Sequence, residues 1–399
     1  MYQTYCRAYQ SVYRLASRFI PWREPELLEG ENSLQRLPHL IKSIHIDTVL
    51  IVTDKGITSL GLMDDLLKGL KSEGIHYSVY DETVPNPTID NIEEALTLYH
   101  TNGCKGIIAF GGGSPMDCAK GVGARVARPD KKLEQMKGQL KIRKPIPPLF
   151  AVPTTSGTGS EATLAAVISN SMTHEKYPIN DPVLIPSYAV LDPLLTINLP
   201  PHITSTTGID ALTHAVEAYI GKSNTSQTRQ SSREAVKLIF ENLIEAYSNG
   251  PNVTARTNMQ KASYLAGFAF TRAYVGYVHA IAHTLGGFYS TPHGLANAII
   301  LPYVLEYYGS SVFKPLAELA DLVNITDVSD TDEQKARKFI EAIKKLNQEM
   351  NIPTKVQGIN EMDIPLMVDR ALSEANPLYP VPKILNKKDM LNIYRMIKE

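Results

Sequence analysis

Cysteine is scarce: three in 399 residues, at positions 6, 104 and 118. The number is odd and no C-x-x-C occurs, which argues against a disulfide framework and against a zinc knuckle. A reducing compartment, the cytoplasm, fits such usage. No apolar run approaches the roughly 20 residues that a membrane span needs, so no membrane attachment is expected. An excess of either charge is lacking too. Forty Lys and Arg face 41 Asp and Glu, a net of −1, so nothing draws the chain to nucleic acid or to an anionic membrane. Internal repeats and low-complexity tracts are absent. What is present, 43% hydrophobic and 20% charged residues over a length sufficient for two domains, is ordinary for a globular protein.

The first 200 residues alternate short apolar runs with helical stretches. Asp47–Asp54 (D-T-V-L-I-V-T-D), His76–Tyr80, Gly106–Phe110, Phe150–Val152, Val167–Ser169 and Tyr188–Leu191 read as strands. Ile57–Leu70 and Ile89–His100 read as helices. Such alternation predicts a parallel α/β sheet. The strand Gly106–Phe110 runs directly into G-G-G-S-P-M-D (Gly111–Asp117) and then a helix. That is the carboxyl end of a strand, where such sheets bind ligands. Three glycines let the backbone approach an anion, and the helix start offers N–H groups and a positive dipole end to phosphate. The loop matches neither G-x-G-x-x-G nor the P-loop pattern, and a plain glycine turn is the alternative. A second loop, P-T-T-S-G-T-G-S-E (Pro153–Glu161), suits a polar ligand surface or a simple surface turn. Met1–Trp22 has three arginines and no acid, the composition of a transit peptide. It also places Tyr5, Tyr9, Val12, Ala16 and Phe19 roughly on one helical face, and we read it as an amphipathic helix docked on the domain.

Strand signals fade after Leu199-Pro200-Pro201, and helical periodicity runs to the end. The domain boundary is placed near residues 195–205. Gly208–Tyr219 carries Asp210 and His214 four residues apart, hence on one helical face. Gly276–Ala296 carries His279 and His283 at the same spacing, and then His293 in what reads as a tight turn after Thr291-Pro292. Imidazoles with one carboxylate suit Fe, Zn, Co or Ni rather than Ca or Mg. Satisfied core histidines are the alternative. The cleft between the two domains is where the phosphate loop and the metal group are expected to face one substrate.

Taken together, G-G-G-S-P-M-D, P-T-T-S-G-T-G-S-E, G-I-D-A-L-T-H-A-V-E-A-Y (Gly208–Tyr219) and the Gly276–Ala296 stretch resemble the iron-dependent (group III) alcohol dehydrogenases. The resemblance runs from about Gly30 to the C-terminus; the first thirty residues look foreign to the family's usual start. It implies a dehydroquinate synthase-like architecture. Residues 1–200 would form an α/β dinucleotide-binding domain, with 1–30 as its docked extension, and 201–399 an all-helical metal-binding domain. It implies Asp210, His214, His279 and His293 as ligands of a divalent metal, Fe2+ before Zn2+. His283 would lie beside the nicotinamide without ligating. Gly113 and Ser114 would meet the pyrophosphate, and Gly112, Asp117, Asn86, Thr154, Thr155, Lys176, Thr196 and Leu199 the rest of the cofactor site. The activity implied is NAD(H)-linked alcohol oxidation or aldehyde reduction by a homodimer. Alternatives are a glycerol-type polyol dehydrogenase, a cyclising lyase of the same superfamily, or a cofactor-binding protein without catalysis.

Asp54 ends the strand at which the family places the adenosine ribose. A carboxylate there favours NAD over NADP, unless it only caps the next segment. Phe270 and Ala165 are expected on the substrate-pocket wall. Tyr274 either narrows that pocket or hydrogen-bonds the substrate, or else faces outward on its helix.

Overall fold

The computed structural model describes residues 1–172 and 175–399, and of Arg18 only the backbone. The chain divides into two compact units, Pro21–Leu199 and a second made of Met1–Ile20 with Pro200–Glu399.

The Pro21–Leu199 unit is built on a sheet of β1 (Glu26–Glu29), β2 (Thr48–Val52), β3 (His76–Tyr80), β4 (Gly106–Gly111), β6 (Leu149–Pro153) and β9 (Tyr188–Leu191), in the order β1-β9-β6-β4-β2-β3. Every pairing in it is parallel. The central β4 (G-I-I-A-F-G) and β6 (L-F-A-V-P) are buried at every position, the continuous apolar pattern of strands covered on both faces. The edge strands β1 and β3 carry the exposed positions. A smaller sheet holds β5 (Gly138–Gln139), β7 (Ala165–Asn170) and β8 (Glu175–Asn180), in the order β5-β8-β7. Sequence reading misses β1, too short and charged at both ends, and β8, which contains Pro178. The single helix expected over Ile57–Leu70 is two, α3 (Lys55–Ser59) and α4 (Asp64–Ser72), separated at Gly61 with φ +66°. The other helices of this unit are α2 (Leu37–Ser43), α5 (Ile89–Thr101) and α6 (Gly113–Ala127). Thr88 caps α5, accepting from Asn91 N.

The second unit is helical: α7 (Pro201–Ile220), α8 (Ser226–Ser248), α9 (Val253–Ala273), α10 (Tyr277–Tyr289), α11 (His293–Tyr308), α12 (Phe313–Leu322), α13 (Asp332–Glu349), α14 (Ile364–Ala375) and α15 (Lys387–Ile397). The α7 helix starts seven residues before the expected Gly208, with Pro201 at its first position, where a missing N–H does no harm. A Cβ on Gly208 would lie 2.3 Å from Leu243 Cδ1, so glycine is what lets α7 and α8 approach. His293 does not sit in a turn. Pro292 precedes α11 and His293 opens it.

Met1–Ile20 belongs with this helical unit, not with the α/β half on which it was expected to dock. Its helix, α1 (Tyr2–Ala16), buries Cys6 and Gln10 rather than the aromatic face: Tyr5, Tyr9, Val12 and Phe19 are all exposed. The reason is hydrogen bonding. Arg7 and Gln10 donate to backbone carbonyls between Pro377 and Pro382, groups that otherwise face loss of water without a partner.

Candidate metal centre

Three helices bring the expected ligands together. On α7, Asp210 and His214 share a face; α10 contributes His279; the first turn of α11 contributes His293. One ligand atom from each of the four lies within 4.8 Å of the others. Asp210 Oδ1 is 3.9 Å from His279 Nε2 and 3.6 Å from His293 Nε2, too long for hydrogen bonds and of the span that two ligands of one cation keep. Asp210, His214 and His279 are buried. The His214 ring is sandwiched between Phe270 at 4.2 Å and His279 at 4.4 Å, so the aromatic expected on the pocket wall stacks on one of the expected ligands.

The residues around this set fix its chemistry. Glu217, one turn beyond His214 and buried, accepts from His279 Nδ1 at 2.6 Å, and from the N–H groups of Gly276 and Val278 at 2.8 Å each. It therefore seats a carboxylate on the N-terminus of α10. A Cβ on Gly276 would lie 2.7 Å from Glu217 Oε1, which excludes any other residue at that close approach. With the proton held on Nδ1, His279 presents a lone pair at Nε2. Asn297, one turn after His293, donates from Nδ2 to Asp210 Oδ1 at 2.6 Å, and that nitrogen is 3.2 Å from His279 Nε2 and 3.1 Å from His293 Nε2. Its buried Oδ1 finds no hydrogen-bond partner among the described residues. Three imidazoles and one carboxylate, three of the four buried, fit a borderline divalent cation.

His283 stands apart from the four. Its ring stacks on His293 at 5.3 Å, and its Nδ1 is paired at 2.8 Å with Glu374 Oε1. Sequence reading missed Glu217, Asn297 and Glu374. The first lies inside the motif G-I-D-A-L-T-H-A-V-E-A-Y, and Asn297 is at i+4 from His293, so helical spacing contained both signals.

Of the expected cofactor residues, Asp54, Gly112, Thr154 and Thr155 gather around the Gly111–Ser114 loop of the α/β unit, with Asn86 and Lys176 linked to Ser114. Gly111 has φ +145°, and a Cβ there would strike Pro115 at 2.7 Å; one on Gly113 would meet Thr158 Cγ2 at 2.9 Å. Thr155 packs beside Gly112, and Thr154 N donates to Gly111 O at 3.1 Å, which joins the two loops back to back. Ser114 Oγ accepts from Asn86 N at 3.2 Å, and Lys176 Nζ donates to Asn86 Oδ1 at 2.7 Å. Asp54 Oδ1 caps α3 by accepting from Ile57 N, while Oδ2 lies beside Gly111. Thr196 turns its hydroxyl onto Pro193 O within its own turn, which Leu199 N closes onto Thr196 O. Under the loops lies Lys120, fully buried, donating to the carbonyls of Ser160, Thr163 and Ala165 and to the hydroxyls of Ser160 and Thr163 at 2.7–3.0 Å. Ala165, expected on the pocket wall, opens β7 and supplies one of these carbonyls. Burial pulls the Lys120 amine down to about 8 and pushes the Asp117 carboxyl up to about 6, with each opposing the other's shift. Lys120→Met is expected to strand these acceptors, lowering stability by roughly 3 kcal/mol or more and weakening NADH binding; chemical denaturation and a fluorescence titration read the two effects.

Comparison with known proteins gives the family. Residues 25–193 match the family model described as iron-containing alcohol dehydrogenase, and residues 204–397 match the C-terminal model of the Fe-containing alcohol dehydrogenase family. The chain is 41% identical over 370 residues to the 1,3-propanediol dehydrogenase of Klebsiella pneumoniae, covering 92% of this chain and 95% of that one. It is 33% identical over 358 residues to the NAD-dependent methanol dehydrogenase of Bacillus methanolicus, covering 89% and 93%. The solved alcohol dehydrogenase from Oenococcus oeni superposes with a TM-score of 0.91 at 36% identity, covering 95% of this chain and 100% of that one. The chain belongs to the iron-containing alcohol dehydrogenase family.

Proposed function

We propose that this protein interconverts a small primary alcohol and its aldehyde by hydride exchange with NAD(H), at a divalent metal held by Asp210, His214, His279 and His293. The observation that carries this reading is the convergence of those four side chains from α7, α10 and α11. A divalent ion in that set, Fe2+ before Zn2+, supplies Lewis-acid polarisation of an alcohol or aldehyde oxygen. NAD(H) supplies the hydride acceptor and donor. The chain's own residues do the remaining work. Glu217 keeps the proton of His279 on Nδ1, so that Nε2 faces the centre. Phe270 and His279 pin the His214 ring between them. His283, half-shielded and paired with Glu374, is placed to hold or pass the proton that leaves the substrate hydroxyl. Gly112, Gly113, Ser114 and Asp117 at the start of α6, with Asn86, Thr154, Thr155 and Lys176, form the surface for the pyrophosphate and nicotinamide side of the dinucleotide.

Small primary alcohols are favoured as substrates by the names of the relatives, which act on 1,3-propanediol and methanol. The test is NADH absorbance with a panel of alcohols and aldehydes, using protein purified without oxygen. Metal-dependent NADH formation supports the reading; NADH binding with no turnover of any alcohol or aldehyde would leave a cofactor-binding protein instead. For Asp54, NADH is expected to give the higher kcat/KM. Asp54→Asn keeps the α3 cap while removing the charge, and is expected to raise the NADPH-to-NADH ratio of kcat/KM. No helix among the described residues is long and apolar enough to cross a membrane, and the three cysteines are buried and free. Both facts support a cytoplasmic location. The family resemblance adds a homodimer, which sedimentation checks.

A further inference from the structure

Residues 1–24 lie outside both family matches, yet α1 is part of the same unit as the four ligands. Its polar contacts converge on the turn that follows α14. Gln10 Nε2 donates to Pro377 O at 3.1 Å and to Tyr379 O at 2.7 Å. Arg7 donates to Val381 O at 2.7 Å and to Pro382 O at 2.9 Å, and braces Gln10 Oε1 at 2.8 Å. One turn on, the Tyr13 ring meets Tyr274 edge-on with centroids 5.7 Å apart, and Tyr274 lies 6.4 Å from the ring of Tyr379. Tyr379 in turn donates its hydroxyl at 2.9 Å to Glu374 Oε1, the same oxygen that pairs with His283 Nδ1.

Tyr274 supplies an independent observation. At the end of α9 it has φ +68° and ψ 169°, a region that glycine occupies almost alone. A tyrosine stays there only where its surroundings hold it, and such strain gathers at functional sites. Here the surroundings include Tyr13 on one side and Tyr379 on the other. The Tyr274 ring is flanked by those of Tyr13 and Tyr379. It is a wedge between the N-terminal helix and the residue that anchors Glu374.

We propose that α1 is a positioning element for His283: through Tyr13, Tyr274 and Gln10 it fixes Tyr379, and with it the Glu374 carboxylate that sets the ring plane and tautomer of His283. The inference rests on the reading of His283 as the proton-handling group of an alcohol dehydrogenase. A carboxylate held by one tyrosine hydroxyl keeps its orientation only while that tyrosine is held, and the backbone of Tyr379 is tied down by Gln10.

The test uses Tyr13→Ala, Tyr13→Phe and Tyr379→Phe in the full-length, metal-loaded protein. Readouts are kcat and KM, metal content, amide exchange over residues 376–382, and the NMR signal of the His283 Nδ1 proton in zinc-loaded protein carrying 15N-histidine. Tyr379→Phe keeps the ring and loses one hydrogen bond to a charged group, so kcat is expected to fall about tenfold with metal content unchanged. Tyr13→Ala is expected to lower kcat by less, to speed exchange over 376–382 and to broaden the His283 signal; Tyr13→Phe, which keeps the ring against Tyr274 and gives up only the hydroxyl's hydrogen bond to it, is expected to lie much closer to wild type in all three. A Tyr13→Ala protein that melts at lower temperature yet keeps wild-type kcat, exchange and His283 signal would overturn the proposal, since α1 would then only seal the surface. Should Tyr13→Ala not fold, a Tyr379→Phe protein with wild-type kcat and an unchanged His283 signal overturns it equally. Absence of any alcohol-dependent turnover in the unmodified protein would defeat the functional reading alone, because exchange and NMR still decide this one.

Discussion

His279→Ala is expected to abolish metal binding and turnover together. The imidazole it removes is hydrogen-bonded to Glu217 and stacks on His214, so two of the proposed ligands lose their support at once. Loss of an outer partner already lowers metal affinity or activity by about 10–100-fold, and loss of a ligand exceeds that. The expected kcat/KM is therefore more than about 100-fold below wild type. Elemental analysis, NADH titration and thermal melting separate the causes. Wild-type protein should melt at higher temperature with added metal, because an ion that binds only the folded state stabilises it. The variant should show no metal-dependent shift and should still bind NADH, whose expected residues, His283 apart, lie in the other unit. A variant that keeps its metal and its rate would remove His279 from the ligand set.

Glu217→Gln has the next largest expected effect, although Glu217 touches no substrate. The amide keeps the volume of the carboxylate but changes one acceptor into a donor. One oxygen remains for the N–H groups of Gly276 and Val278 that the two carboxylate oxygens now share. The –NH2 group then confronts His279 Nδ1, and the imidazole relieves the donor–donor conflict by moving its proton to Nε2, the atom that faces Asp210. Metal affinity is expected to fall about 10–100-fold, with kcat at saturating metal much closer to wild type. The check is a titration of metal-free protein with Fe2+ or Zn2+, read by activity and by calorimetry. Unchanged affinity would mean that the Glu217–His279 pair serves only to seat α10.

Much of this centre was legible because it is local. The i,i+4 spacings of Asp210 with His214 and of His279 with His283 place each pair on one helical face, and apolar flanks bury them. The strand-to-helix junction at Gly111–Ser114 was legible for the same reason: a run of apolar residues, glycines, then helical spacing. His293 was misread because Thr291-Pro292 signals a break, and a break before a proline is equally the start of a helix. That error hid Asn297, whose relation to His293 exists only on a helix. The Glu374–His283 and Tyr379–Tyr274 pairs join residues about a hundred positions apart, for which no periodicity exists. In the N-terminal helix, hydrophobic spacing does not mark the buried face. In the structure the carbonyls after α14 select Arg7 and Gln10, and polar satisfaction outweighs aromatic burial.

Protein purified without oxygen, loaded with Fe2+ and crystallised, can be examined by anomalous diffraction at the iron absorption edge. Expected is one peak per chain, about 2.0–2.2 Å from an oxygen of Asp210 and from a ring nitrogen of each of His214, His279 and His293. Full iron content by elemental analysis with the peak elsewhere, or no peak within reach of all four side chains, would contradict the assignment of this centre.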